Sequence, residues 1–81
     1  MSRFIKVTEL TRFKEGVKET APAYINVDNI CYIKENKRYS YRKDGSAIII
    51  DVTELWTPIS HITAMEDVQS IMNLIYNQNK R

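Results

Sequence analysis

Apolar and polar residues alternate along several short stretches of the chain, a period that is typical of β-strands. The first such stretch is residues 4–10, where Ile5 and Val7 share one face. Comparable stretches follow at residues 24–27, 30–35, 39–42, 46–52 and 59–62. Asp44-Gly45 separates two of them and predicts a β-hairpin, because Asp-Gly favours the backbone conformation of a tight turn.

The stretches are expected to occupy different places in the sheet. Ala47–Ile50 is continuously apolar, which indicates a central strand covered on both faces. Pro58 cannot donate a ladder hydrogen bond and marks an edge or a break. Residues 11–23 carry charges, one Gly and one Pro without a sustained period, which predicts a long loop. Residues 36–38 are expected to form a bulge or turn, and Cys31 to be a small core residue.

A helix is predicted near the C-terminal end. Thr63 and Glu66 have the spacing of a capping box, in which each side chain satisfies the backbone N–H of the other residue. Beyond Thr63, apolar residues recur at helical spacing and define one face: Met65, Val68, Ile71, Met72 and Ile75. Leu74 and Tyr76 fall off that face. We therefore expect a helix over residues 64–77 and a polar, frayed tail over residues 78–81.

Together these elements predict one small α+β domain over residues 1–81. Its sheet is expected to be a curled antiparallel sheet or partial barrel of four to six strands with one C-terminal helix. A chain of 81 residues buries only about 60–65% of its unfolded surface, so its core is marginal. One cysteine and one histidine exclude an internal disulfide and a Cys/His zinc site. Self-association is the remaining common route to stability, and we expect a homo-oligomer.

Charge and cysteine usage indicate a cellular compartment and a broad class of partner. A single cysteine favours a reducing environment, and residues 1–10 lack the pattern of a signal peptide. Ala47–Ile50 is far shorter than the roughly 20 apolar residues that a membrane span needs. We therefore expect a cytoplasmic protein with no membrane association. The net charge of +2 is compatible with an acidic partner without demanding one.

The order of these stretches resembles a known family. The run Phe4–Leu10, then Tyr24–Ile30, then an apolar strand after Gly45 and a helix containing Glu66-Asp67-Val68 is similar to the small FlbD/SwrD-type bacterial proteins, first met in flagellar gene clusters, and their stand-alone relatives. A second, fragmentary resemblance is to LytTR-type DNA-binding domains. It rests on the strand Ile30–Glu35, which precedes a basic and aromatic strand and an Asp-Gly turn.

No arrangement of residues predicts catalysis, a metal site or a cofactor site. Ser60 and His61 are neighbours in a predicted strand and point to opposite faces, so His61 is poorly placed to activate Ser60. The chain has only Gly16 and Gly45, too few for a phosphate-cradling loop. We therefore expect a non-enzymatic protein with no cofactor and no small-molecule substrate.

Two surfaces are candidates for binding. Trp56 is either a core residue or part of an exposed apolar patch, and tryptophan is enriched at interfaces. The interface with a second copy or another protein is predicted at Leu55, Trp56, Pro58 and Tyr76. The alternative is a nucleic-acid-binding module on the basic and aromatic hairpin 34–43. There paired tyrosines would stack bases and cations would contact phosphates: Lys37, Arg38, Tyr39, Tyr41, Arg42 and Lys43.

Overall fold

The computed structural model describes residues 3–79 and shows a five-stranded antiparallel sheet with one C-terminal helix. The elements are β1 (Phe4–Lys14), β2 (Val17–Asn26), a 3-10 turn (Val27–Asn29), β3 (Tyr32–Tyr41), β4 (Ala47–Trp56), β5 (His61–Ala64) and α1 (Val68–Asn79). Their order in the sheet is β2-β1-β5-β4-β3. The predicted fold class is therefore confirmed, and the sheet does not close into a barrel.

The sheet consists of two long hairpins joined by a short strand. Strands β1 and β2 form one hairpin, β3 and β4 form the other, and β5 pairs with both β1 and β4. Although β1 and β3 are separated by two strands, the Gly16 amide donates a 2.7 Å hydrogen bond to Ser40 Oγ. The sheet therefore bends until the tip of the first hairpin lies against the second. We call the face inside this bend the inner face.

The main core lies on the opposite face, which we call the helix face. It is formed by residues that are nearly inaccessible to solvent: Ile5, Val7, Ile25, Leu55, Ala64 and Ile71. Because side chains alternate along a strand, residues in register with Leu55 or two positions away from it share the helix face. Their neighbours in sequence, including Trp56 and Glu54, point to the inner face.

The prediction of a long loop over residues 11–23 is wrong. These residues extend β1 and β2 into a hairpin whose turn is Glu15-Gly16, with φ of 53° and 79°. Positive φ at both central residues is characteristic of a type I′ turn. Gly16 is required for a second reason, since a Cβ there would lie 3.2 Å from Ile48 Cγ1. The hairpin escaped detection because its strands are largely exposed and have no apolar period.

The predicted capping box is also wrong. Thr63 belongs to β5 and its hydroxyl donates to Glu54, while the Glu66 carboxylate accepts the Thr8 backbone N–H at 2.9 Å. The helix instead begins at Val68 and is capped by Asp67, whose Oδ1 accepts the Ser70 N–H at 2.7 Å. Glu66 thus continues the β1–β5 contact past the end of β5, next to the Met65 N–H bond to the Thr8 carbonyl.

Other local predictions also need correction. Leu74 packs against the core, whereas Met72 is 46% exposed. Residues 36–38 form no bulge or turn but pair continuously within β3, and Cys31 is exposed. The helix spans Val68–Asn79 rather than residues 64–77, so its predicted bounds are wrong at both ends. Residues 80–81 of the predicted tail lie outside the described residues, and fraying of the tail stays a prediction. No helix in residues 3–79 is long and apolar enough to cross a membrane; cytoplasmic location stays a prediction.

The predicted central strand is also misplaced. The strand at the centre is β5, and β4 lies between β5 and the edge strand β3. Residues 52–55 of β4 are buried, but Ile49 is 54% exposed because neither β5 nor the helix reaches that part of the hairpin. The apolar run Ala47–Ile50 therefore lies outside the buried part of β4: Ala47 and Ile49 are exposed, and Ile48 and Ile50 are half-buried.

We predict that Glu15→Asn stabilises the protein. Glu15 has a left-handed φ of 53°, which costs a residue with an ordinary side chain about 1–2 kcal/mol and is better tolerated by asparagine. Recovering about 1 kcal/mol would raise the melting temperature by about 4–8 °C. Glu19→Asn removes the same charge from strand β2 and is the matched control. Equal melting temperatures for the two variants would contradict this account.

We predict that the Asp67 cap makes stability depend on pH under acidic conditions. The hydrogen bond from the Ser70 backbone N–H lowers the pKa of Asp67 below its ordinary value. The contribution of the ionised Asp67 to the free energy of unfolding is therefore fully present above the unfolded pKa of about 3.9. It is lost as the pH falls through the lower pKa of the folded state. Asp67→Asn keeps a capping oxygen without a titrating charge, so its unfolding free energy should fall less between about pH 4 and 2. Parallel curves for the two proteins would refute the prediction.

Candidate functional site

A buried carboxylate organises the inner face. The Glu54 side chain is only 5% exposed, accepts hydrogen bonds from two residues and lies within ion-pair distance of a third. Thr63 Oγ1 donates at 2.7 Å, Arg38 Nη2 at 3.1 Å, and His61 Nε2 lies 3.1 Å from the second oxygen. We call these four residues the Glu54 cluster. A buried carboxylate requires such partners, since an unpaired charge out of water is strongly destabilising.

The Glu54 cluster determines the environment of the only tryptophan. The His61 ring, held by Glu54, stacks on Trp56 with ring centroids 4.3 Å apart and planes inclined by 15°. Trp56 also faces Tyr32 across the β3–β4 ladder. Ser60 takes no part, because its hydroxyl lies 3.2 Å from Thr57 Oγ1 instead. Ser60 and His61 therefore serve separate structural contacts.

Three exposed apolar side chains of the second hairpin lie together on the helix face, beyond the N-terminal end of the helix. Tyr39 and Ile49 are direct neighbours across the β3–β4 ladder and are 56% and 54% exposed. Tyr41, two residues from Tyr39 on the same face, is 65% exposed. We call these three residues the hairpin patch. Contiguous exposed apolar side chains of this kind mark interaction surfaces in soluble domains.

An open groove of about 850 Å³ lies between the hairpin patch and the start of the helix. Tyr39 and Met65 give it apolar walls, and Glu35, Asp51 and Asp67 give it acidic ones. Lys37 also lines the groove, where its Nζ lies 2.6 Å from Asp51 Oδ1. That hydrogen bond, together with the charge of Asp51, raises the pKa of Lys37. The groove therefore combines aromatic surface with a paired cation.

The structure separates the residues of the predicted nucleic-acid surface. Tyr39 and Tyr41 share the helix face as predicted, but the cations do not accompany them. Arg38 points into the inner face and belongs to the Glu54 cluster, and Lys37 is paired with Asp51. Arg42 also points to the inner face, against Gly16. Lys43 lies in the turn after β3, so one continuous basic and aromatic face is not formed.

The residues of the predicted protein interface also fail to form one surface. Leu55 is fully buried in the core and cannot contact a partner in this structure, so its assignment is wrong. Trp56 is 40% exposed but points to the inner face, whereas Tyr76 lies on the helix that covers the other face. Pro58 is exposed in the turn between β4 and β5.

Sequence reasoning missed Ile49 as a surface residue. Its place in an apolar run suggested burial, and the Asp44-Gly45 signal did not give the register. A two-residue turn at Asp44-Gly45 would set Tyr39 opposite Ile50. The observed turn has three residues, 43–45, and sets Tyr39 opposite Ile49. Residues that are directly opposite share a face, so Ile49 is exposed together with Tyr39.

Comparisons with known proteins assign no family to this chain: no family model, no curated protein and no solved structure matches it. The resemblances to FlbD/SwrD-type proteins and to LytTR-type domains therefore stay predictions.

We predict that Arg38 and Glu54 are energetically coupled. Arg38→Met should destabilise the fold by about 2 kcal/mol, because it removes a hydrogen bond to a charged, buried group. Glu54→Gln should cost less, since the guanidinium it leaves behind is 42% exposed and can be solvated. The double variant should be more stable than the sum of the single losses implies, by roughly 1 kcal/mol. Urea unfolding of the four proteins measures the coupling, and strictly additive losses would disprove it.

Proposed function

We propose that this protein is a non-enzymatic protein-binding module that acts as a homo-oligomer and binds through the β3 side of its second hairpin. The observation that carries the proposal is the hairpin patch. It places two tyrosines and an isoleucine, each more than half exposed, on a face that the helix leaves uncovered. Tyrosine is favoured at interfaces because it buries a large area for little loss of rotamer freedom.

The shape of the molecule supports this proposal. The radius of gyration is 14.1 Å, against about 12 Å for a compact domain of this length. The excess arises because both hairpins extend beyond the core under the helix. Surface that projects in this way is costly for a chain with a small core, and covering it with a second copy would recover apolar burial.

The arrangement of cations favours protein over nucleic acid as the partner. A phosphate-binding surface needs cations that are free to replace condensed counterions. Lys37 and Arg38 are engaged with carboxylates within the chain. Of the remaining cations of the alternative site, Arg42 points to the inner face, away from the tyrosines, and Lys43 lies in the turn after β3. Nucleic-acid binding through this hairpin thus stays a prediction with less support than protein binding.

We predict that Tyr39→Ala weakens self-association by about 5- to 30-fold, since truncating an interface tyrosine costs roughly 1–2 kcal/mol. Tyr24→Ala is the matched control, because Tyr24 is a comparably exposed tyrosine on the edge strand β2, at the other side of the sheet. Light scattering coupled to size exclusion over a concentration series measures the molar mass of each variant.

A wild-type chain that stays monomeric throughout the series would overturn the oligomer proposal. Equal weakening by both substitutions would remove the assignment to the β3 side. Binding of a labelled oligonucleotide that persists near physiological salt and is lost on reversing the charges of Arg42 and Lys43 would instead establish the nucleic-acid alternative.

A further inference from the structure

The two edges of the sheet differ in their capacity to accept another strand. The β2 edge contains Pro22 near its middle, paired with Thr8 of β1. Proline lacks an N–H and is a common means of protecting an edge from pairing. The β3 edge is ten residues long and contains no proline, glycine or register shift. Of the two edges, β3 is therefore the one that offers an uninterrupted row of backbone groups.

The turn between β3 and β4 fixes which backbone groups of β3 face outward. The Arg42 N–H donates to the Ser46 carbonyl at 2.9 Å, so Arg42 is a hydrogen-bonded position of the ladder. Because such positions alternate in an antiparallel pair, even-numbered residues of β3 bond to β4. The odd-numbered residues direct their N–H and C=O groups to the edge. In agreement, the Lys37 N–H bonds not to β4 but to the side chain of Asn36, at 2.9 Å.

We propose that β3 pairs with β3 of a second copy, antiparallel, about a two-fold axis that passes through Asn36. This inference rests on the proposed homo-oligomer and names its contact. In this register Glu35 lies directly opposite Lys37 of the second copy, and Ile33 lies opposite its Tyr39. The two five-stranded sheets join into one continuous sheet.

Charge selects this register over its neighbours. Within a pleated sheet, opposed residues must point to the same face, so the register can shift only in steps that preserve this parity. The adjacent register in one direction sets Glu35 against Glu35, and the other sets Lys37 against Lys37. Like charges directly opposite each other are destabilising, whereas opposite charges stabilise the pair. The register centred on Asn36 forms the Glu35–Lys37 pair twice.

The residues involved are available for these contacts. Glu35 and Lys37 are both exposed, and Glu35 has no ion-pair partner within residues 3–79. Lys37 has three N–H groups and gives one to Asp51, which leaves two for the second copy. The groove beside β3 provides room on the helix face for odd-numbered side chains of the second strand. Pairing would also release the Asn36 amide to meet its symmetry mate.

Disulfide trapping tests the register. In a Cys31→Ser background, Asn36→Cys should give a covalent dimer on air oxidation. Residues on the axis are a non-hydrogen-bonded pair with Cα atoms about 4.5 Å apart, within disulfide range. Lys34→Cys in the same background is the matched control, since the two cysteines introduced at position 34 would lie about 13 Å apart, four residues along the paired strands. The Asn36→Cys chain should cross-link at least about ten-fold faster.

A proline substitution tests the backbone contact. Added to the Asn36→Cys chain, Glu35→Pro removes an outward N–H without removing a β3–β4 hydrogen bond, so the fold should persist while cross-linking through position 36 is lost. Glu35→Ala keeps the N–H and removes only the charge, and should retain most of the cross-linking. Urea unfolding verifies that both variants fold. If the proline variant is unfolded, Glu35→Lys in the Asn36→Cys chain replaces it as the test, because it places a lysine opposite Lys37 of the second copy. Loss of cross-linking would support the β3 pairing, and unchanged cross-linking would contradict it.

The outcomes separate this inference from the proposed function. A wild-type oligomer by light scattering, combined with equally slow cross-linking of the Asn36→Cys and Lys34→Cys variants, would overturn the β3 pairing and leave the homo-oligomer intact. A wild-type monomer at every concentration would overturn both. Rapid cross-linking through position 36 that is lost on adding Glu35→Pro would establish the edge-to-edge dimer.

Discussion

Strand β5 is four residues long, whereas each of the other strands has ten or eleven. This difference in length governs the rest of the architecture. Because β5 bridges the two hairpins at only part of their length, the hairpins form one continuous sheet there and separate beyond it. The helix follows directly from β5 and covers the same part. The hydrophobic core is therefore confined to the bridged region, and the remaining length of each hairpin must find other contacts.

The hairpin segments that do not pair with β5 differ in their contacts on the two faces of the sheet. On the inner face, the first hairpin bends across and closes against the second, with Gly16 bonded to Ser40 and close to Ile48. The Glu54 cluster lies on the same face, and its hydrogen bonds have defined partners and directions. A carboxylate buried in this way gives little net stability, but any arrangement that leaves it unpaired is costly. On the helix face nothing within residues 3–79 closes over the second hairpin, so Tyr39, Tyr41 and Ile49 stay in contact with solvent.

The sequence could predict the parts of this structure in which local and tertiary preferences agree. The alternation around Ile5 and Val7 identified β1 because one face of that strand is buried under the helix. The tip of the same hairpin was missed because it packs by one hydrogen bond and a glycine contact, which leave no apolar period. Thr63 and Glu66 have the spacing of a capping box, but tertiary partners, Glu54 and Thr8, take both side chains. Such competition between distant partners cannot be read from spacing alone.

At the candidate site, the number of cations in the segment likewise did not predict where their side chains lie. Counting cations along residues 34–43 suggested a basic surface, yet alternation divides them between two faces and carboxylates from β4 pair with two of them. The feature that remains available for binding is the β3 edge. One of its outward backbone donors, the Lys37 N–H, is hydrogen-bonded to the side chain of the neighbouring Asn36. The Asn36 side chain accepts the hydrogen bond of this N–H in the monomer. Unlike the missing N–H of a proline, this donor becomes available again when the side chain moves away. The contrast with Pro22 on the other edge therefore has a physical meaning: one edge lacks a donor by covalent structure, and the other holds a donor in a bond that a second strand can replace.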